Sequence, residues 1–222
     1  MRFHCNGLRL DIDVAHLVIA GWTGRDEAAI RHHIDELAAI GVTPPSATPL
    51  FYRVAGALLT SAPRIEVVGN GSSGEVEPLI VQAGNRRWLG LGSDHTDRTL
   101  ETHSVALSKQ VCAKPCALEL WEWGDVAGRL DEIVLESWIE EGGEWRLYQQ
   151  GTLAAIRPLE RLAGGAGLDG LARDGAVAMM CGTFGAKGGV RPSPRFRMAM
   201  TDPATGRRIT HEYATTVLAE VA

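Results

Sequence analysis

The chain has 222 residues, of which 45% are hydrophobic and 22% are charged, and its formal net charge is −5 at pH 7. This length fits one domain with a single sizeable core. The acidic balance argues against a nucleic-acid-binding surface, and no apolar run approaches the roughly 20 residues that a membrane-spanning helix requires.

The N-terminus and the cysteines bear on the compartment. The first residues contain no apolar segment of the kind found in secretory signals, so we expect a cytoplasmic protein. Cys112 and Cys116 are spaced C-x-x-x-C, with no matching pair elsewhere among the four cysteines. We therefore interpret the cysteines as reduced thiols rather than as a metal or redox site.

The first 41 residues predict strands followed by a helix. Residues 1–20 alternate and then become apolar, which is typical of a hairpin that leads into a buried strand. Residues 25–41 carry an apolar stripe at helical spacing. Thr23 with Asp26 resembles a helix start, and Gly41 resembles a helix end.

His33 and Glu36 lie three residues apart on this predicted helix and are therefore neighbours on its surface. An ordinary surface pair is one interpretation, and His32 with Asp35 forms a second pair at the same spacing. The prolines of residues 43–64 then favour an extended connection, which carries Tyr52.

Glu75 and Glu77 lie two residues apart in an extended context. Their side chains point to the same face of a strand, with Cα atoms about 7 Å apart. A turn at residues 83–85 and a second apolar run lead to Asp94, which would add a third carboxylate if the chain returns beside the glutamates. Carboxylates without cysteine suit Mg²⁺, Mn²⁺ or Ca²⁺. The alternative is a solvated strand face followed by a polar turn.

Residues 98–109 predict one short helix with Leu100, Val105 and Leu107 partly buried. His95 is next to Asp94, and we expect it to face solvent rather than to shuttle protons. The rest of the chain alternates between strand patterns and turns. Strands are predicted at residues 117–123, 133–139, 145–150, 175–185, 195–200 and 208–218, a helix at residues 158–162, and a loop at residues 164–167.

An ordered set of residues in the middle of the chain resembles the fumarylacetoacetate hydrolase superfamily. The superfamily pattern is E-x-E, then D-x-[ST]-x-R-[DT]-x-[QE], then a lysine. Here it corresponds to Glu75 and Glu77, then residues 94–101, then Lys109. The resemblance covers roughly residues 19 to 185 and is that of a divergent bacterial-type branch. Because the interval before Lys109 is short for the superfamily, Lys114 is a second candidate for the lysine.

The resemblance implies a role for each matching residue in the centre of the chain. Glu75, Glu77 and Asp94 would bind a divalent cation, Mg²⁺ first, with Mn²⁺ or Ca²⁺ as alternatives. Lys109 would lie near the bound oxo acid. Arg98 and Glu101 would contact the substrate or order the site.

Three further matches are less regular. Members of the superfamily carry an H-x-x-E pair on a lid helix, to which His33 and Glu36 would correspond as catalytic residues. Tyr52 lies in a stretch that resembles a pocket-lining segment. Thr183 is the threonine of a strand that ends in Gly-Thr. It would contact the substrate carboxylate, although Phe184 replaces the usual proline.

These observations predict an α+β fold, a mixed β-roll or sandwich like the C-terminal domain of fumarylacetoacetase, with short peripheral helices. We expect one domain over residues 1–222, with N-terminal strands and lid helix in 1–64 and a metal-binding β core in 65–222. The function implied is metal-dependent C–C bond hydrolysis of a 2-oxo or 1,3-diketo acid. The alternatives are a decarboxylase, hydratase or tautomerase of the same superfamily, or a non-catalytic oxo-acid-binding module. The resemblance also implies a small-molecule oxo acid as the partner and a homodimer, and we expect neither nucleic acid nor membrane as partners.

Overall fold

Strands dominate the chain. The structure, a computed structural model, describes residues 1–39 and 44–221, without the side chains of residue 33 and residues 36–39. The described strands are β1 (Arg2–Cys5), β2 (Leu8–Asp11), β3 (Val14–Gly21), β4 (Leu50–Ala55), β5 (Leu59–Thr60), β6 (Arg64–Val68), β7 (Ser72–Ser73), β8 (Val76–Ala83), β9 (Arg86–Ser93), β10 (Thr96–Asp97), β11 (Lys114–Pro115), β12 (Glu119–Glu122), β13 (Val134–Glu141), β14 (Glu144–Thr152), β15 (Ala176–Met180), β16 (Arg195–Thr201) and β17 (Arg208–Leu218). The described α-helices are α1 (Glu27–Ala39), α2 (Arg98–Glu101), α3 (Val105–Gln110), α4 (Trp123–Val126), α5 (Leu159–Gly165) and α6 (Leu168–Asp174), and 3₁₀-helices span Gly56–Leu58, Ala127–Glu132 and Leu153–Ala155.

Eight strands form a mixed sheet in the order β2-β1-β12-β9-β8-β15-β3-β4. Its centre is buried on both faces, which is why β3 and β8 contain unbroken apolar runs rather than an alternating pattern. In β8, Leu79 and Val81 contribute to one hydrophobic cluster, whereas Ile80 between them contributes to a second cluster on the opposite face. Strands from both the N-terminal and the central part of the chain share this sheet.

A second sheet has the order β14-β13-β16-β17-β6. Its strands alternate, as β13 does with Leu135, Ser137 and Ile139 buried between less buried neighbours. The buried face packs on the eight-stranded sheet, so that Phe196 and Met198 join the cluster that contains Ile80. The expected α+β class, a strand-rich core with short peripheral helices, is confirmed.

Several local expectations are confirmed and several are wrong. The helix predicted from residue 25 is α1, and the side chain of Asp26, not Thr23, caps it by accepting hydrogen bonds from the backbone N–H groups of Ala28 and Ala29 at 2.9 and 3.0 Å. Gly41, its predicted end, lies outside the described residues. The predicted extended connection contains the edge strand β4.

The single helix predicted for residues 98–109 is two helices, because Ser104 interrupts the first and caps the second. Leu107, expected to be partly buried, is 55% exposed. The glycine-rich loop begins inside α5, and α6 follows it. All four cysteines are unpaired and buried. No helix in the described part of the chain is long and apolar enough to cross a membrane.

Candidate metal centre

The β8–β9 hairpin brings three carboxylates together. Val76 pairs with Ser93 in the hairpin register, and the backbone N–H of Asp94 donates to the carbonyl of Glu75 at 3.0 Å. One carboxylate oxygen from each of Glu75, Glu77 and Asp94 lies within 4.8 Å of the others. Glu75 precedes β8 and Glu77 lies within it, and with Asp94 returning beside them the expected convergence of the three carboxylates is present.

The three carboxylates differ in their electrostatic surroundings. Burial, together with the charges of Asp94 and Glu75, raises the pKa of Glu77 well above its ordinary value. Burial also acts to raise the pKa of Asp94, but Lys109 and Lys114 outweigh it and lower that pKa to about 2. Asp94 is therefore ionised at neutral pH, whereas burial and the neighbouring carboxylates disfavour ionisation of Glu77.

Both candidate lysines contact Asp94. Lys109 donates to Oδ2 of Asp94, and Lys114 Nζ lies 3.3 Å from Oδ1. Lys114 is fully buried and donates to the carbonyls of His95 and Cys112 at 2.6 and 3.1 Å, whereas Lys109 lines a cavity. Lys109 is therefore the lysine that can contact a ligand, whereas Lys114 holds the backbone of His95 and Cys112 in place.

The donor set fits a hard divalent cation. Three carboxylates supply oxygen ligands, which Mg²⁺ and Mn²⁺ prefer. Oδ1 of Asp94 is buried, and Lys114 Nζ, 3.3 Å away, does not form a well-oriented hydrogen bond with it, so the oxygen keeps acceptor capacity for a further partner. A cation beside Glu75 and Glu77 would satisfy that oxygen.

A cavity of about 590 Å³ opens above these carboxylates. It is lined by seven of the residues singled out from the sequence, namely Tyr52, Glu75, Glu77, Arg98, Glu101, Lys109 and Thr183. Asp94 lies beneath its floor, 1% exposed. The side chains of His33 and Glu36 lie outside the described residues, so their catalytic role stays a prediction.

Arg98 is held by acidic partners. Its guanidinium lies 3.1 Å from Glu75 and 2.9 Å from Glu101, and Nε donates to Ser73 at 2.8 Å. Burial opposes its charge, but the two carboxylates raise the pKa of Arg98 above its ordinary value. The arrangement orients Glu75, and a direct contact between Arg98 and substrate stays a prediction.

The segment after β15 borders the cavity beside Glu77. The backbone N–H of Gly182 donates to Glu77 at 2.7 Å. Gly182 has φ of 101°, and a Cβ there would lie 1.7 Å from Oγ1 of Thr23, so only glycine fits. The Thr183 hydroxyl donates to the carbonyl of Val76 at 2.6 Å. The hydroxyl proton of Thr183 is therefore used within the protein, and a ligand could bind this hydroxyl only by donating a hydrogen bond to its oxygen.

Gln149 was missed by the sequence analysis. Its side chain lies between the sheets, where Oε1 accepts from the backbone of Val76 at 2.9 Å and Nε2 donates to the Thr183 hydroxyl at 2.7 Å. It thereby fixes both edges of the site. The sequence shows only that Gln149 is an amide side chain in a predicted strand. That observation does not distinguish a buried position from an exposed one.

A buried polar chain supports the carboxylates from the second sheet. The hydroxyl of Tyr213 is 2.9 Å from both Ser93 Oγ and His95 Nδ1, and Nε2 of His95 is 3.0 Å from Ser72 Oγ. Ser93 in turn accepts from the backbone N–H of Glu75 at 3.2 Å. The expectation that His95 faces solvent is wrong. It is 2% exposed, and burial, followed by the charge of Lys114, lowers its pKa to about 3.

We expect Tyr213→Phe to lower the free energy of unfolding by about 1–3 kcal/mol, because the buried Ser93 hydroxyl and Nδ1 of His95 each lose the hydrogen bond to Tyr213. It should also weaken Mn²⁺ binding by about tenfold, because Ser93, which accepts from the backbone of Glu75, is no longer held in place by Tyr213. Denaturant unfolding and Mn²⁺ titration measure the two effects. Tyr148→Phe is the matched control, since Tyr148 is also buried but accepts from the backbone of Arg191, away from the carboxylates. Equal loss of Mn²⁺ affinity in both variants would contradict the positioning role.

Comparison with solved structures places the chain among proteins of known fold. A putative fumarylacetoacetate isomerase/hydrolase from Oleispira antarctica superposes with a TM-score of 0.62 at 15% identity, over 96% of this chain and 99% of that one. Fumarylpyruvate hydrolase from Pseudomonas aeruginosa, in complex with Mn²⁺ and pyruvate, gives 0.58 at 15% identity, over 99% and 96%. A 2-keto-3-deoxy-D-arabinonate dehydratase complexed with magnesium and 2,5-dioxopentanoate gives 0.63 at 13% identity, over 98% and 79%.

The expected resemblance to the fumarylacetoacetate hydrolase superfamily is thus confirmed for the fold. No curated protein sequence matches the chain. Residues 20–213 match the family described as "Protein of unknown function (DUF2848)". Because this match spans most of the chain, the protein belongs to that family.

Proposed function

We propose that this protein is a divalent-metal-dependent enzyme that acts on a 2-oxo acid or a 1,3-diketo acid. The observation that carries the proposal is the convergence of Glu75, Glu77 and Asp94, with Lys109 beside them, at the floor of a 590 Å³ cavity. Two structures of the same fold, described as bound to Mn²⁺ with pyruvate and to magnesium with 2,5-dioxopentanoate, support the same class of ligand.

The three carboxylates would hold Mg²⁺ or Mn²⁺, which when bound supplies a Lewis acid that stabilises negative charge developing on the substrate. Lys109 adds a positive charge at the same place, and its contact with Asp94 together with the nearby Glu75 raises the pKa of Lys109 against the effect of burial. Lys109 therefore stays protonated at neutral pH and acts by its charge rather than as a base.

Hydrolysis of a C–C bond is the proposed reaction. The oxygen of a water molecule attacks the carbonyl carbon while the water gives up a proton. The adjacent C–C bond then breaks, and the electron pair of that bond leaves with the other fragment as an enolate. The enolate finally takes up a proton. His33 and Glu36 on α1 are proposed to accept the proton of the water. Tyr52, Arg98, Glu101 and Thr183 are proposed to position the substrate.

A dehydratase or hydratase is the second candidate. It is supported by the shared fold with a 2-keto-3-deoxy-D-arabinonate dehydratase that was solved with magnesium and 2,5-dioxopentanoate. The two reactions are distinguished by their products, since hydrolysis yields two carbon fragments and dehydration yields one.

We expect wild-type protein to bind oxalate and pyruvate in calorimetry only when Mg²⁺ or Mn²⁺ is present. The double variant Glu75→Ala/Glu77→Ala should lose this binding, because two of the three oxygen donors are gone. Glu119→Ala/Glu144→Ala removes the same charge from exposed positions outside the cavity and should bind normally. Absence of metal-dependent binding in the wild-type protein would refute the proposed function.

A further inference from the structure

The walls of the cavity differ from its floor. The charged groups converge at the floor, around Glu75 and Glu77, whereas the walls above them carry Trp22, Ile30 and Val105. Val190 stands at the rim, 51% exposed. A ligand whose oxygens occupy the floor therefore meets an apolar surface with the rest of its length.

Two glycines allow this wall to close tightly around the cavity. A Cβ on Gly21 would lie 2.9 Å from the ring of Tyr52, so the ring packs directly on the end of β3. A Cβ on Gly24 would lie 3.3 Å from Ile30 in the first turn of α1. The side chains of Tyr52 and Ile30 thus pack directly on the backbone of Gly21 and Gly24, which fixes the position of the apolar surface in the cavity.

The start of α1 is fixed to the body of the protein. Arg25 forms two hydrogen bonds to Asp131, at 2.6 and 2.7 Å, and a third to the carbonyl of Ile156 at 2.9 Å. The backbone N–H of Arg25 also donates to the carbonyl of Ala155 at 2.9 Å. Ile30 is therefore held over the cavity by contacts outside it.

The cations of the described cavity lining are already committed to protein carboxylates. Arg98 lies between Glu75 and Glu101, and Lys109 donates to Asp94. A second carboxylate on the ligand, beyond the one at the metal, would enter an apolar region near Glu101 without a cation to pair it. Desolvating a charge without a partner is costly, and a like charge nearby adds to that cost.

We propose that the substrate is a monocarboxylic 2-oxo or 1,3-diketo acid whose remaining part is apolar, and that Ile30 and Val105 select it. This inference rests on the proposed function, because the oxo acid group is taken to lie at the metal. It goes further in excluding substrates with a second carboxylate and in assigning specificity to side chains that have no part in the chemistry.

The first test is a series of ligands in the presence of Mg²⁺. Pyruvate, 2-oxobutyrate, 2-oxopentanoate and 2-oxohexanoate share the metal-binding group and differ by one methylene at each step. Burial of a methylene is expected to tighten the dissociation constant by about three- to fourfold per step. 2-Oxoglutarate, with a carboxylate at the end of a chain of similar length, should bind more weakly than 2-oxohexanoate.

The second test uses variants of α3. Val105→Ala removes part of the apolar wall and should reduce the gain in affinity that each added methylene provides. Leu107→Ala is the matched control, since Leu107 is on the same helix but is 55% exposed and does not line the cavity. Val105→Arg places an uncommitted cation in the wall and should reverse the preference, so that 2-oxoglutarate binds more tightly than 2-oxohexanoate.

The outcomes separate the two proposals. If pyruvate binds with metal but affinity does not increase along the series, or 2-oxoglutarate binds the wild-type protein best, the apolar-substrate inference is wrong and the proposed function stands. If neither pyruvate nor oxalate binds with metal, both fail. The inference is supported if affinity increases along the series of 2-oxo acids and Val105→Arg binds 2-oxoglutarate more tightly than 2-oxohexanoate.

Discussion

Glu77→Gln is expected to stabilise the metal-free protein and to weaken Mn²⁺ binding by about 100-fold or more. The loss of affinity follows from removing a charged ligand, which should exceed the ten- to hundredfold effects typical of residues that only support ligands. The gain in stability follows because Glu77 is buried beside Asp94 and Glu75, which raises its pKa. Glutamine removes a carboxyl group that ionises more readily in the unfolded chain than in the folded one, and its oxygen still accepts from the backbone of Gly182.

The pH dependence of stability provides a second measurement of the same effect. Below its ordinary pKa of 4.5, Glu77 is protonated in the folded and the unfolded chain, so its contribution is fully present. That contribution is lost as the pH rises through the raised pKa of the folded state, because ionisation then favours unfolding. Wild-type apoprotein should therefore lose stability relative to Glu77→Gln as pH increases above 4.5.

Denaturant unfolding at several pH values, with and without Mn²⁺, measures both effects. Added Mn²⁺ should stabilise the wild-type protein and reverse the order of the two proteins, since a ligand that binds only the folded state adds to its stability. A variant that is less stable than the wild-type protein in EDTA at pH 8 would contradict the electrostatic account of Glu77.

Asp94→Asn should have the opposite effect on the apoprotein and destabilise it by about 3–5 kcal/mol. The carboxylate neutralises two buried ammonium groups, Lys109 and Lys114, which are 6% and 0% exposed. Removing one partner of a buried ion pair leaves the other charge without compensation, and the cost is of this size. Burial already lowers the pKa of Lys114, so neutralisation of that lysine is one route by which the variant would relax.

The double variant Asp94→Asn/Lys109→Met tests the cause. Methionine removes one uncompensated ammonium and conserves volume, so it should recover part of the lost stability. Lys187→Met changes an exposed lysine and serves as the control for charge and hydrophobicity. If Asp94→Asn unfolds at the same denaturant concentration as the wild-type protein, Asp94 does not compensate these lysines in the way described.

The clustering of the three carboxylates could be predicted from the sequence because its parts are local. Glu75, Glu77 and Asp94 lie in or next to one hairpin, whose two apolar runs and intervening turn are visible in the sequence. Strand geometry then fixes which side chains share a face. Lys109 follows Asp94 by only 15 residues and lies on α3, the second of two short helices.

The supporting residues were missed because they come from distant strands. Gln149 and Tyr213 reach the site only after the second sheet packs on the first, and each belongs to a segment that reads simply as a strand. The burial of His95 is likewise set by Tyr213, not by its neighbours in sequence.

Local fold errors also have physical causes. β4 was interpreted as part of a connection because of the prolines in the segment before it, yet the strand lies at the edge of its sheet, where Pro49 precedes it without disturbing a central ladder. The helix over residues 98–109 was divided because Ser104 caps α3 through the backbone of Leu107. A capping serine inside an otherwise helical pattern is a weak signal on its own.

The link between Tyr213 and the β8–β9 hairpin has a consequence for the way the chain acquires its site. Ser93 and His95 obtain their common partner from β17, the last strand of the chain, and Glu77 obtains the N–H of Gly182 from residues that follow β15. During synthesis the three carboxylates are present long before these partners emerge from the ribosome. Contacts of such wide separation in sequence form slowly, so the carboxylate cluster acquires its supporting hydrogen bonds late, after β17 has joined its sheet.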